Sequence, residues 1–239
     1  MTSKDQEIPM ETGGFGSDLA GLPGFLIDPE SAAKRVHSKW FWIVPLLVCT
    51  IIGIGVGHYL TPMIVHVTAV APLRDGETPE AHQKAVEITE VFTKYLFFLT
   101  PIFAPIFWAV MAGIMLGVAV VSGVKARFGA MFNLVAGCWV IQSLASIATT
   151  VILHFKGEPQ TAAELKPPMG PDIFLAEGTN KFLMAAAGSF SVFQIWWVVM
   201  MVLVFAMAFR TSKLKGVAAV LPLWLLGMLG SLVGAFFQK

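Results

Sequence analysis

Five stretches of this chain, at about residues 40–60, 96–121, 131–153, 191–209 and 217–237, contain no Asp, Glu, Lys or Arg. A hydrocarbon core ~30 Å thick is crossed by ~20 helical residues, so each stretch meets or approaches the length of a membrane span. In lipid every backbone donor and acceptor must be paired within the protein, which leaves helices or closed barrels. Barrel strands alternate apolar and polar side chains over ~10 residues, and these runs do not alternate. The expected fold is all-α: a polytopic membrane protein built as a five-helix transmembrane bundle. Composition agrees, since 56% of the 239 residues are hydrophobic and only 13% are charged. A soluble domain carries about 25% charged residues.

The segments between the runs have their own signals. After a turn-rich piece that begins at residue 61, "TPEAHQKAVEITEVFTKY" offers Thr78 as N-cap and Pro79 at the first helical position. Ala81, Ala85, Ile88, Phe92 and Tyr95 recur at helical spacing, which predicts an extracytoplasmic amphipathic helix running on into span two. Residues 156–180 read as a proline-rich loop, and "NKFLMAAAGSFS" is either the start of span four or a short interfacial helix before it. Residues 1–24 lack the apolar core of a secretory signal and read as a flexible cytoplasmic tail. The membrane domain then occupies 25–239. It opens with a short cytoplasmic interfacial helix that Asp28 caps, with Pro29 at its first position. Ala32, Val36 and Trp40 are expected to face the membrane, with Lys34, Arg35 and Lys39 toward lipid head groups.

Charge sets a direction. Lys34, Arg35 and Lys39 precede span one; Lys125 and Arg127 lie between spans two and three; Arg210, Lys213 and Lys215 lie between spans four and five. These short loops fall on one side of a five-span chain. The long connections on the other side hold Asp75, Glu77, Glu80, Glu87, Glu90, Glu158, Glu164, Asp172 and Glu177 against Arg74, Lys84, Lys94, Lys156 and Lys166. Lys and Arg concentrate in cytoplasmic loops, so the N-terminus is expected in the cytoplasm and the C-terminus outside it. Trp40 and Trp42 at span one, and Trp196 and Trp197 at span four, fit interfacial aromatics.

Catalytic patterns are missing from the sequence. There is no G-x-S-x-G elbow and no Gly-rich phosphate loop with its Lys and Ser/Thr. "GIGVGH" at 53–58 lacks the strand and βαβ setting of a dinucleotide fingerprint. His58, His66 and His154 fall near span ends without metal-motif spacing. Cys49 and Cys138 sit in separate apolar runs, which argues against a disulfide framework or a thiolate metal site. No catalytic, cofactor or metal residue is therefore expected. Three glycine pairs at four-residue spacing, Gly53/Gly57, Gly113/Gly117 and Gly230/Gly234, are candidates for close helix packing. Pro101 and Pro105 in span two, and Gln142 in span three, are the hints of a substrate path. Asn133, Gln142, Ser143 and Ser146 equally suit hydrogen bonds between spans. The net charge of +1 argues against a nucleic-acid partner.

Order and spacing resemble one family. "FLIDPESAAKRVHSKWFWIVPLLV", "GAMFNLVAGCWVIQSLASI" and "FSVFQIWWVVMMVLVFAMAFRTSKLKGVAAVLPLW" are similar to bacterial-type members of the YIP (Ypt-interacting protein) domain family, over roughly residues 22–237. The resemblance implies five spans, a cytoplasmic N-terminus and no assigned reaction. The D-L-Y-G-P segment of the eukaryotic branch is absent, so the resemblance does not extend to its GTPase binding or vesicle trafficking. The sequence thus points to a non-enzymatic integral membrane protein that organises protein partners or lipids, in the cytoplasmic membrane if bacterial. Its partners would be the lipid bilayer and other membrane proteins or further copies of itself. The alternative is a transporter or permease subunit.

Overall fold

A computed structural model describes residues 14–73, 76–176 and 179–237; Arg74, Asp75, Glu177 and most of the expected tail lie outside it. The described residues are helical, with no strand. Four helices are long and apolar enough to cross a membrane, and a bent pair makes a fifth when taken as one span. The protein is a polytopic helical membrane protein.

Three short helices precede the first span: α1 (Phe15–Gly21), α2 (Gly24–Ile27) and α3 (Pro29–Arg35). The tail expected over 1–24 is therefore ordered as helix from Phe15. Leu22 and Phe25 are buried, and Asp18 is pinned by Arg35 and Ser38, which gives this segment tertiary anchors that its Gly-rich composition conceals. Asp28 caps α3 by accepting from the backbone N–H groups of Glu30 and Ser31, with Pro29 following it.

Span one is α4 (Ile43–Val70), 28 residues or about 42 Å long. It continues ten residues past the expected end, through Pro62. Thr61 donates its hydroxyl to the Gly57 carbonyl and Thr68 to that of Ile64, so helix replaces the start of the turn-rich piece. The chain returns along it as α5 (Pro79–Leu96), capped by the Thr78 hydroxyl on the Ala81 N–H. A 3-10 turn at Phe97–Leu99 leads into α6 (Thr100–Val121). Pro101 accounts for that turn: it has no N–H for the Phe97 carbonyl, and the Thr100 hydroxyl donates to it at 2.7 Å instead.

Span three is α7 (Phe128–Lys156). After a loop with a 3-10 turn at Pro171–Phe174 come α8 (Lys181–Gly188) and α9 (Val192–Ala208), bent by 44°. The bend falls where Ser191 caps α9 on the Gln194 N–H, so "NKFLMAAAGSFS" is a separate short helix joined to span four. Helix α10 (Lys213–Phe237) is the last span.

Helix α7 is the centre of the bundle. It packs on α4, α6 and α9, while α10 packs on α9 and α6. Met131, Leu134, Val135, Ala136, Cys138 and Ile141 of α7 are buried. The outer faces are apolar as well: Ile51 is 71% exposed, Ile106 58% and Leu229 56%. So large an uncovered apolar belt has lipid as its solvent.

Candidate functional site

The polar groups inside the bundle are densest where the N-terminal helices meet spans one, three and four. Asn133, early in α7, is 3% exposed. Its amide nitrogen donates to the carbonyls of Val36, at 2.9 Å, and Ser38. Its Oδ1 accepts from the Trp42 backbone N–H at 3.2 Å. Those three backbone groups belong to the linker between α3 and α4. The linker breaks the helical ladder, and one buried side chain supplies the bonds the ladder would have made. Beside it, His37 Nε2 donates to the Ala208 carbonyl at the end of α9, at 3.1 Å. Asp18 is buried, accepts from the Ser38 hydroxyl at 3.3 Å, and lies 3.8 Å from the Arg35 guanidinium.

Serine, histidine and aspartate in one place raise the question of a nucleophilic triad. A triad sets the histidine between nucleophile and acid. Here the Ser38 hydroxyl goes directly to Asp18, and His37 Nε2 is taken by a backbone carbonyl. These groups tie the linker to the end of span four and present no activated nucleophile.

The contacts continue deeper. The ring of Phe25 lies against Gly137, where an added Cβ would fall 2.4 Å from it. Trp196 Nε1 donates to the Leu26 carbonyl at 2.8 Å. Gly137 is about 14 Å along α7 from Phe128, and Trp196 about 18 Å along α9 from Ala208. Helix α2 thus reaches about 14–18 Å along the bundle from that end, packed on α7 and α9, and α1–α3 form a wedge let into the bundle. Ala32 and Val36 are fully buried in protein, which corrects the expectation that they face the membrane. Small residues at 32 and 33 suit the close approach of α3 to α9. Trp40 alone of that stripe is outward, 58% exposed, with the Lys39 ammonium 5.4 Å from its ring centre.

Trp42 meets Phe132 edge-on, whereas Trp197 is buried against Trp139 and is no interfacial residue. Lys34 pairs with Glu30 at 3.2 Å. Lys125, Arg127 and Arg210 lie in the loops, and Lys213 and Lys215 in the first turn of α10, at the end of the bundle that holds the α3–α4 linker, as the Asn133 and His37 bonds require.

The spans are bound to one another by further polar pairs. Gln142 Nε2 donates to Gln194 Oε1 at 3.1 Å, the Ser143 hydroxyl meets Cys49 Sγ at 3.2 Å, and Tyr59 meets His154 at 3.0 Å. His66 faces Gln160 at 3.5 Å. Among the described residues no three of His, Cys, Asp or Glu come together as a metal site. Two grooves, one between α9 and α10 and one between α4 and α7, are both apolar, and Gln142 lines neither.

The glycines divide sharply. A Cβ on Gly57 would stand 2.1 Å from the Phe97 ring, and one on Gly53 3.4 Å from the Thr100 hydroxyl. At Gly113, Gly117, Gly230 and Gly234 an added Cβ meets nothing within 4 Å, so these are not close-packing positions within this chain. Sequence spacing missed two in the spans that are: Gly137 against Phe25, and Gly216, whose Cβ would fall 2.9 Å from the Val202 carbonyl. Neither belongs to a four-residue glycine pair.

A family model described as the Yip1 domain matches residues 24–234, nearly the whole chain. The searches of curated proteins and of solved structures give no match.

Proposed function

The chain belongs to the Yip1 domain family, and on that footing we propose that it is a non-enzymatic membrane protein that organises protein partners or lipids. The observation that carries this reading is where the intramembrane polar groups go. Asn133, Gln142, Gln194 and Ser143 bond to other parts of the same chain. A permease would leave such groups lining a wet path, whereas here they support helix packing. The N-terminus is assigned to the cytoplasm and the C-terminus to the opposite side, in the cytoplasmic membrane if the protein is bacterial.

The test is purification of the tagged chain from its native membranes into nanodiscs, with its protein and lipid content measured against an unrelated five-span protein. A reproducible companion protein or lipid class is the expected result. A bundle that carries only bulk lipid, and in proteoliposomes moves a soluble solute, would replace this reading with the permease.

A further inference from the structure

One groove joins an apolar wall to a cluster of free charge. It runs between α9 and α10, with a volume of about 240 Å³, walled by Ile195, Val199 and Val202 on one helix and Val217, Leu221 and Trp224 on the other. Each triplet is an i, i+4, i+7 stripe, so the groove follows both helices for about 10 Å. Lys213 is the next residue up the α10 stripe, four positions before Val217. It opens the first turn of α10, three residues after Arg210 in the connecting turn and two before Lys215. All three are exposed, and among the described residues none is paired with a carboxylate. Neither α9 nor α10 contains an acid. Arg210 holds φ 46°, the one positive value among the described non-glycine residues. Glycine takes that conformation at lower cost, yet a cation stands there. Gly216 holds α10 against the Val202 carbonyl at this same end.

We propose that this groove and its basic mouth form a binding site for an anionic phospholipid. One acyl chain lies between α9 and α10 and the phosphate engages Lys213 and Arg210, while Lys215, on the other side of the same turn, adds to the positive field. Apolar walls alone accept any acyl chain, so the charge at the mouth supplies the choice of lipid. The proposal rests on the reading of the chain as an organiser of partners or lipids, and names the lipid class.

Native mass spectrometry of the full chain in detergent, titrated with phosphatidylglycerol and phosphatidylcholine of matched acyl chains, tests it. A micelle has no sides, so the outcome does not depend on membrane orientation. The first phosphatidylglycerol is expected to bind about fivefold or more tightly than phosphatidylcholine. Arg210→Gly with Lys213→Ala and Lys215→Ala should bring the two to parity. Lys125→Ala with Arg127→Ala, at the other basic loop, should leave the preference intact. Free glycerophosphoglycerol, a headgroup without chains, should fail to displace the bound lipid. Equal binding by the unaltered chain, a preference that survives the triple change, or one lost equally at Lys125 and Arg127 overturns the site. Displacement by the bare headgroup overturns the groove's part in it. Loss of the site would leave companion proteins, found in nanodiscs, as support for the broader function.

Discussion

At the scale of single residues, Asn133 is where one side chain decides the most. Asn133→Leu fits the space but leaves two carbonyls and one N–H of the linker without partners. The expected cost is about 2–3 kcal/mol, read as earlier thermal unfolding in detergent. Asn133→Asp is a sharper test: it keeps the acceptor for Trp42 but turns a second carboxylate oxygen toward the carbonyls of Val36 and Ser38. It should be at least as damaging as leucine, and wild-type stability would show that the linker does not need the donor. The glycines give a paired comparison. Gly57→Val drives a side chain into the Phe97 ring and should cost about 1–3 kcal/mol. Gly117→Ala meets open space and exchanges a poor helix former for a good one, so it should be neutral or up to about 1 kcal/mol stabilising. Spacing alone could not separate these two positions, because a glycine's neighbour across the bundle is a property of the fold. Asn133 was legible as a hydrogen-bonding residue for the same reason that its partners were not: the side chain announces a need, and the linker that meets it lies over ninety positions away.

At the scale of elements, the segment before span one is the part that sequence reading placed least well. Ala32, Val36 and Trp40 share a face at four-residue spacing, and that pattern is the same whether the face meets lipid or protein. What separates the two is the partner: Gly137 and Trp196 receive Phe25 and Leu26 deep in the bundle, and neither position marks itself as a receptor. The existence of the spans, by contrast, was legible, though not the far end of span one, because the absence of charge over twenty residues answers to the solvent and not to a particular neighbour. The wedge makes a direct prediction. Ile27 is 80% exposed yet adjoins Leu26, so its exposed face is expected to meet acyl chains. Cysteine at Ile27 should stay unlabelled by a membrane-impermeant maleimide in intact membranes, while cysteine at the exposed Lys34 should label from the N-terminal side. The native Cys49 and Cys138 are buried and give a quiet background. Rapid labelling at position 27 would mean that α2 lies in water and that the helices rest on the bundle without entering it.

At the scale of the whole molecule, the fold gathers the loop charges on which the orientation rests. Helices α4, α6, α7, α9 and α10 alternate in direction, so three loops that are far apart in sequence gather at one end. Their cations act together on the choice of side. The described acids Glu77, Glu80, Glu87, Glu90, Glu158, Glu164 and Asp172 lie in the segments that join the opposite end. Because the basic groups are redundant, reversing one should not invert the chain. Lys34→Glu, Arg35→Glu and Lys39→Glu together should leave most molecules with the 156–180 loop outside, detected by a reporter inserted there. Two of those three cations are also partly spent on Glu30 and Asp18, so this cluster contributes less to orientation than its count implies. Adding Lys125→Glu and Arg127→Glu leaves only Arg210, Lys213 and Lys215, and a mixed population should result. A cytoplasmic 156–180 loop in the unaltered protein would sink the assignment outright. An unmixed population after all five changes would put the decision in Arg210, Lys213 and Lys215 alone, which have no carboxylate partner among the described residues.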